Sequence, residues 1–207
     1  MNTKIDFKKE WKPLYGPSAK EVVVVDVPAM NFIMGEGRGD PNTSLEFQGM
    51  VEALYGLSYT LKFMIKKEQG IDYAVLPLEG LWWAEDMAVF SPEGQDKESW
   101  QWTVMIAQPE YVTTDLFVKA LEQVGKKKPS SFLSQIRWEP FHEGLCAQIL
   151  YIGPYAQESP TIEKIHRFIK DQGYDLAGKH HEIYLNDPRR TAPEKLKTII
   201  RQPLHLK

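Results

Sequence analysis

The order strand, helix, strand, strand occurs twice along the chain, and this repetition constrains the fold more than any other feature. The first copy spans about residues 20–107 and the second about residues 140–206. In each copy the first strand ends in a glycine-bearing turn, Ile33-Met34-Gly35 in one and Tyr151-Ile152-Gly153 in the other. Two such units side by side predict an α+β fold, in which helices pack on a pseudo-twofold antiparallel sheet. The cleft between the repeats is then the expected place for a small ligand.

The remaining segments connect to these repeats without adding a second domain. Residues 1–19 form a lead-in without clear periodicity, and residues 108–139 join the repeats through a helix and a lysine-bearing loop. Within the first repeat, residues 87–90 are predicted to continue a strand. At 207 residues the chain can bury a substantial core. We therefore expect residues 20–207 to form a single domain.

The composition argues against several classes of protein. Hydrophobic residues make up 43% and charged residues 26%, values typical of a soluble globular protein. The net charge of -3 gives no overall attraction to nucleic acid or to an anionic membrane. The single cysteine, Cys146, excludes an intramolecular disulfide and a multi-cysteine zinc site. No apolar run approaches the ~20 residues of a membrane span, and no signal peptide is evident. We expect a cytoplasmic protein without a cofactor; the oligomeric state stays open.

Residues 180–186 are typical of a strand that carries a carboxylate at its centre. Side chains alternate across a strand, so His180, Glu182 and Tyr184 share one face. His181 and two aliphatic residues share the other face, which we expect to meet the core. Because the two histidines point in opposite directions, they cannot chelate a metal together, and no metal site is expected. The three polar side chains indicate a functional face, although a solvated outer face is the alternative that this strand alone leaves open.

A second acid and a tryptophan pair stand out in the first repeat. Residues 72–79 are predicted to form a strand ending at Glu79, the acid that we match with Glu182 of the second repeat. Trp82 and Trp83 follow closely. Adjacent tryptophans are unusual on a surface and awkward in a core, because each buried indole N–H needs a hydrogen-bond partner.

Aromatic residues are abundant, with six Trp, nine Tyr and nine Phe. Tyr55 and Tyr59 lie one turn apart on the helix predicted for residues 42–67. Trp102 lies on the strand predicted for residues 100–107. For each of these three residues, packing in the core is the alternative to lining a ligand site.

Several passages together resemble one known family. His181-Glu182-Ile183-Tyr184, Asp187-Pro188-Arg189-Arg190 and Pro193-Glu194-Lys195-Leu196-Lys197-Thr198-Ile199 resemble the GyrI-like small-molecule-binding domains, which include effector-binding domains of multidrug-responsive transcription activators. Tyr59-Thr60-Leu61-Lys62-Phe63 and Pro77-Leu78-Glu79-Gly80-Leu81-Trp82-Trp83 resemble the stand-alone branch, whose members are implicated as hydrolases of cyclopropane-bearing DNA-alkylating toxins. The resemblance spans residues from about 20 to 206. It implies an aromatic-walled pocket between the repeats, with Glu182 as its central acid.

The resulting hypothesis is a xenobiotic-binding protein that hydrolyses cyclopropane-containing toxins with a carboxylate-activated water. Glu182 would act as the general base, and Glu79 would orient the water or share that role. The expected ligand is a flat aromatic or amphipathic molecule, because stacking favours it. Its predicted binding residues are Trp82, Trp83, Tyr55, Tyr59, Trp102, Tyr184 and His180.

Two alternatives from other classes remain. The first is a non-catalytic module that sequesters drugs and uses Glu182 as a counter-charge. The second is an inhibitor that interacts with DNA gyrase, which needs an exposed recognition surface that the sequence does not mark. Residues 1–19 are too short for a helix-turn-helix, so direct DNA binding is not expected.

Overall fold

The computed structural model of the chain describes residues 4–85 and 97–207, so the strand expected at residues 87–90 lies outside its described part. The helices are α1 (Phe7–Glu10), α2 (Lys12–Tyr15), α3 (Leu45–Gln69), α4 (Thr114–Lys127) and α5 (Ser159–Asp171). The strands are β1 (Val23–Val27), β2 (Met30–Arg38), β3 (Leu78–Trp83), β4 (Gln101–Gln108), β5 (Arg137–Phe141), β6 (Gly144–Ile152), β7 (Tyr174–Leu176), β8 (His180–Tyr184) and β9 (Lys197–Leu206).

Eight of these strands form a sheet in the order β1-β6-β9-β8-β3-β4-β2-β5, and β7 pairs with β9. Every pairing in this sheet is antiparallel. The predicted α+β fold is therefore confirmed. One half of the sheet is built from β2-α3-β3-β4 and the other from β6-α5-β8-β9, as the internal repeat requires. The two halves join where β3 pairs with β8.

Each half of the sheet gains one outer strand from the part of the sequence that leads into the other half. β1 leads into β2 but pairs with β6 of the second half. β5 leads into β6 but pairs with β2 of the first half. The repeats therefore interlock through exchanged outer strands as well as through the central β3–β8 pair.

The strand expected at residues 72–79 begins later than predicted. β3 starts at Leu78, directly after Pro77, and includes both tryptophans. Proline has no N–H to donate to a strand ladder, which explains why regular pairing begins only after it. The preceding residues form only an isolated bridge between Ile5 and Tyr73. The tandem tryptophans thus belong to a central strand and must point to opposite faces of the sheet.

Helix α3 lies on the face of the sheet that carries Glu182. Its Met50 sulfur occupies the space that a Cβ at Gly35 of β2 would need. Directly opposed residues of paired strands share a face. Gly35 opposes Val104, Val104 opposes Gly80, and Gly80 opposes Glu182, so all four residues lie on the face covered by α3.

Helix α5 covers the other end of the same face. Glu182 opposes Ile200 of β9, and Ile200 packs in one apolar cluster with Ile165 and Ile169 of α5. We call this side of the sheet the helix face. Helix α3 contacts β2 and β4, and α5 contacts β6 and β9. The central strands β3 and β8 therefore lie between the two helices on this face, and we call this region the cleft.

The reverse face is covered by the N-terminal helices. Phe7 of α1 and Leu14 and Tyr15 of α2 are buried in the main core. The Leu14 carbonyl accepts a hydrogen bond of 2.7 Å from Arg201 of β9, which places α2 on this side of the sheet. Among the helices of the described ranges, none has both the length and the apolar character that crossing a membrane requires.

Candidate functional site

Three side chains of β8 meet on the floor of the cleft. Tyr184 donates its hydroxyl proton to Glu182 Oε2 over 2.8 Å, and His180 Nε2 lies 3.2 Å from Glu182 Oε1. The side chains of His180 and Glu182 are 12% and 16% exposed. The predicted shared face of β8 is therefore confirmed. Each carboxylate oxygen of Glu182 is held by a neighbour, while the group stays accessible from the cleft.

Strand β3 extends this hydrogen-bonded chain. Trp82 Nε1 donates to the Tyr184 hydroxyl oxygen over 3.1 Å, so the phenol receives one hydrogen bond and gives one to Glu182. Gly80 directly opposes Glu182. A Cβ at Gly80 would lie 2.8 Å from Trp82 Nε1 and 3.2 Å from the Tyr184 hydroxyl. The close approach of these two side chains therefore depends on glycine at this position.

An aromatic layer surrounds Trp82. Its ring stacks on Phe47 of α3 at 5.8 Å between centroids, and Trp100 meets it edge-on at 5.9 Å. Trp102 contacts Phe47 edge-on at 5.2 Å but is fully buried beneath Gly37. Trp82 is 4% exposed and is linked to the Glu182 carboxylate through Tyr184, whereas Trp102 is fully buried in the core.

Trp83 lies apart from this cluster. It follows Trp82 in the strand and so faces away from it. The Lys179 ammonium lies 3.1 Å from the centroid of its ring, a cation–π contact. The side chain also lines a surface groove with Glu36 and Arg38. The structure does not bring Trp83 to Glu182.

The two predicted tyrosines of α3 differ in position. Tyr55 is half-buried, and burial raises the pKa of its hydroxyl. Tyr155, from the segment before α5, packs edge-on against Tyr184 at 5.7 Å. Burial raises the pKa of Tyr155 to about 12, with smaller contributions from Glu158, Glu182, Asp187 and Tyr55. Tyr55 and Tyr155 therefore approach the cleft from its two sides. Tyr59 is 48% exposed on the outer part of α3.

A second carboxyl group, not predicted from the sequence, belongs to this cleft. Glu158 directly precedes α5 and is only 4% exposed. Its Oε1 has no hydrogen-bond partner among the described residues, and its side chain does not cap the helix. Burial raises the pKa of Glu158 far above the usual carboxyl range, and the negative charge of Glu182 raises it further. The neighbouring Thr198 hydroxyl lowers this pKa, but by less. Two acids with different environments therefore share one cleft.

Glu79 lies on the reverse face, away from Glu182. Tyr15 donates to Glu79 Oε1 over 2.7 Å, and His181 Nε2 lies 3.0 Å from Glu79 Oε2. The residue that opposes Glu182 is Gly80, so matching Glu79 with Glu182 was wrong by one residue in register. A shift of one residue moves a side chain to the other face of a sheet. The two acids cannot reach the same water molecule across the sheet.

Glu79 instead belongs to a buried ionic network. His181 Nδ1 lies 2.9 Å from Glu143 Oε1, and Arg201 Nη1 lies 3.1 Å from Glu143 Oε2. Burial alone would lower the pKa of His181, but Glu143 and Glu79 outweigh it and raise the pKa to about 9. Burial alone would raise the pKa of Glu143, but His181 and Arg201 reduce it to about 2. The network therefore holds two cations against two carboxylates.

This network also fixes the N-terminal segment to the sheet. Arg201 donates to the Leu14 carbonyl, and Gln148 donates to the Pro13 carbonyl over 2.6 Å. Arg201 Nε donates in turn to Gln148 Oε1 over 2.9 Å. The arrangement is structural in character, because its members point toward the N-terminal helices and away from the cleft.

Some site residues left little trace in the sequence. Glu158 stands before Ser159 and Pro160, and an acid at the start of a helix is already explained by the helix dipole. Tyr155 follows a Gly-Pro turn, where an aromatic has no periodic context. Gly80 did carry a signal, because a glycine inside a strand often marks the close approach of another group.

Comparison with known proteins places the chain in a family. Its sequence matches the GyrI-like small molecule binding domain over residues 20–205, so the chain belongs to this family. An uncharacterised conserved protein from Listeria innocua has a similar structure with a TM-score of 0.89 and 40% identity, over 98% of this chain and all of that one. Among proteins of curated function, none matches the sequence.

Two further structures are informative. A hydrolase from Listeria innocua matches with a TM-score of 0.84 and 37% identity, over 98% of this chain and 100% of the hydrolase. The C-terminal domain of EcmrR matches with a TM-score of 0.55 and 10% identity, over 90% of this chain and 98% of that domain. The second likeness shows only that the fold is shared.

Proposed function

We propose that this protein hydrolyses a small electrophilic xenobiotic, of the class of cyclopropane-containing DNA-alkylating toxins, with Glu182 as the general base. The observation that carries the proposal is the position of Glu182 on the floor of the cleft, held at both oxygens by His180 and Tyr184. The family of small-molecule-binding domains and the similar structure of a hydrolase support it further.

The chemistry follows from the fixed carboxylate. Glu182 accepts a proton from a water molecule as the water oxygen attacks a carbon of the strained ring. One ring bond to that carbon breaks, and an electron-accepting group on the ring takes its electron pair. His180 and Tyr184 are positioning residues, because they fix the direction in which the carboxylate oxygens point. Positioning of this kind matters because misplacement by about 1 Å can lower a rate by about 10²-fold.

The aromatic residues bind the substrate. Trp82, stacked on Phe47 and only 4% exposed, belongs to the wall beside the carboxylate. A flat ligand gains dispersion and stacking energy from aromatic rings that line such a site. Tyr55 and Tyr155 line the entrance from α3 and from the segment before α5. Trp83 and Glu79 have no part in this proposal, because they lie outside the cleft.

Incubation with a cyclopropane-containing alkylator tests the proposal, with ring opening followed by chromatography. Wild-type protein should form product, and Glu182→Gln should reduce the rate by about 10²- to 10⁴-fold, the usual contribution of general base catalysis. Glu163→Gln, on the exposed side of α5, is the matched control and should leave the rate unchanged. Binding in a 1:1 ratio without any product from the wild-type protein would reject hydrolysis.

That last result would favour the second candidate, a non-catalytic sequestering module. The observation in its favour is the presence of two acids, Glu158 and Glu182, in an aromatic cleft. Such a site suits a lipophilic cation, with Glu182 as the counter-charge and the aromatic rings of the cleft as cation–π partners. A cationic ligand should then bind more weakly to Glu182→Gln, whereas an uncharged ligand of the same shape should bind equally to both proteins.

A further inference from the structure

Glu158 is a buried acid that neither caps its helix nor pairs with a cation among the described residues. It stands at the start of α5, yet its side chain makes no capping hydrogen bond to the helix. It is 4% exposed, and its Oε1 lacks a hydrogen-bond partner among the described residues. Buried polar groups without a partner are rare in folded proteins, and a catalytic role is one of the explanations for them. Glu158 Oε1 is therefore available for a hydrogen bond to a substrate atom.

The groups around Glu158 favour its neutral form. Glu182 and Tyr184 face it from β8, Tyr155 from the preceding turn, Tyr151 from β6 and Thr198 from β9. None of these groups is a cation, and the negative charge of Glu182 disfavours ionisation of Glu158. The amino end of α5 acts the other way, because a helix dipole favours an anion there. Without a hydrogen bond to the helix amides, however, the side chain gains little from that dipole.

We propose that Glu158 is the proton donor of the hydrolytic reaction in which Glu182 is the base. This inference rests on the proposed hydrolysis and assigns a second residue to it. Opening a cyclopropane by water requires a group that accepts the electron pair of the broken bond. A carbonyl conjugated to the ring is such a group, and its oxygen becomes basic as the electrons arrive.

The step balances as an addition of one water molecule. The water oxygen bonds to a ring carbon, and the proton it loses passes to Glu182. The ring carbon–carbon bond breaks, and its electron pair moves through the conjugated system to the carbonyl oxygen. That oxygen takes the proton of Glu158 and becomes a hydroxyl group. Glu182 is then protonated and Glu158 ionised, and a proton moves from one to the other through water before the next turnover.

The raised pKa of Glu158 agrees with this role, since the group keeps its proton at neutral pH. Pairs of acids whose environments separate their pKa values are a common way to provide a base and an acid in one site. We therefore expect the rate to fall at alkaline pH as Glu158 ionises.

Infrared spectroscopy first tests the protonation state without any turnover. The carboxylic acid carbonyl band of a buried Glu158 should be present in the wild-type protein at pH 7. It should be absent from Glu158→Gln and retained in the control Glu163→Gln. A wild-type spectrum without a band that depends on Glu158 would overturn the proposal.

Kinetics then test the donor role with two alkylators that carry a carbonyl-conjugated cyclopropane. Glu158→Gln keeps the size of the side chain but has no acidic proton. We expect kcat to fall by about 10²- to 10⁴-fold with a small change in KM, and the alkaline fall in rate to disappear. The fall in kcat should be smaller for a probe whose carbonyl oxygen is made less basic by a nitro group on its ring. If Glu158 had only a structural role, the substitution would lower kcat equally for both probes.

The outcomes separate this inference from the proposed function. Full turnover by Glu158→Gln, together with loss of turnover in Glu182→Gln, would overturn the donor role and leave hydrolysis intact. Absence of turnover in the wild-type protein would reject hydrolysis itself, and the donor role with it. An equal defect of Glu158→Gln with both probes would also overturn the donor role.

Discussion

Gly80 and Glu182 oppose each other in the central antiparallel pair, and the missing side chain of Gly80 leaves room for the Trp82–Tyr184 hydrogen bond beside the carboxylate. Gly80→Ala would place a Cβ 2.8 Å from Trp82 Nε1, too close for the indole to keep its position. We expect turnover to fall by about 10-fold, the effect of roughly 1.4 kcal/mol on the barrier.

Gly56→Ala is the matched control for this substitution. A Cβ at Gly56, on the exposed side of α3, would meet no atom within 4 Å. Alanine inside a helix is more favourable than glycine by roughly 0.5–1 kcal/mol. The control should therefore unfold at a slightly higher temperature and turn over at the wild-type rate. Equal rates for Gly80→Ala and wild type would show that the close packing at Gly80 is irrelevant to the site.

Tyr184→Phe tests the positioning of Glu182. The substitution removes the hydroxyl that donates to Glu182 Oε2 and accepts from Trp82. Hydrogen bonds to charged groups contribute about 1.5–3 kcal/mol, so we expect kcat/KM to fall by about 10- to 100-fold. Steady-state kinetics measure this change. Tyr174→Phe, on β7 beyond the cleft, is the control and should leave kcat/KM unchanged. If Tyr184→Phe also kept the wild-type kcat/KM, the Tyr184 hydroxyl would have no role in the mechanism.

Glu79→Gln should affect stability and not chemistry. The Glu79 side chain is 1% exposed and faces His181, so losing its charge leaves the imidazolium with one carboxylate neighbour fewer. Removing one partner of a buried ion pair costs about 3–5 kcal/mol, which urea unfolding would measure. Glu182→Gln should change the free energy of unfolding much less. If Glu79→Gln instead folded as stably as the wild type but lost kcat, Glu79 would have a role in the reaction.

The pKa of His181 makes stability depend on pH. It is raised from the ordinary value of about 6.5 to about 9 in the folded protein. The stabilisation is therefore fully present below about pH 6.5 and is lost as the pH rises through about 9. Between these values the free energy of unfolding falls by up to about 1.4 kcal/mol for each unit by which the pH rises.

His181→Gln should remove this slope from a plot of unfolding free energy against pH between 6.5 and 9. His205→Gln, at the exposed end of β9, is the control and should keep the slope. Glu143 behaves in the opposite sense, because its pKa is lowered to about 2. Its contribution is present above the ordinary carboxyl range and is lost as the pH falls through about 2. A slope that persists in His181→Gln would mean that another group titrates there.

Much of the fold could be predicted from the sequence, because the signals were local and occurred twice. Apolar periodicity located α3 and α5, and the alternation in β8 placed His180, Glu182 and Tyr184 on one face. The family, too, was predicted from short passages and is confirmed by the match over residues 20–205.

The errors concern contacts that depend on register. Glu79 was assigned to the strand face of Glu182, but strand pairing places Gly80 there, and no local pattern fixes the alignment of two distant strands. Glu158 was missed because its importance arises only when α5 docks on β9 and carries the acid toward Glu182. Burial and charge environment are properties of the assembled structure and cannot be deduced from the neighbouring residues alone.

The exchange of β1 and β5 between the two halves bears on how the protein can be divided. Suppose that the chain is cut in the connection before β5. The first fragment would contain β1 without its partner β6 and β2 without its partner β5, and the second fragment would contain β6 and β5 without these partners. Each piece would thus carry an open edge that only the other piece fits. The floor of the cleft arises at the β3–β8 junction, so neither piece alone could hold a ligand there. Ligand binding by a mixture of the two fragments would therefore report their reassembly, and the chain is a natural candidate for a split sensor.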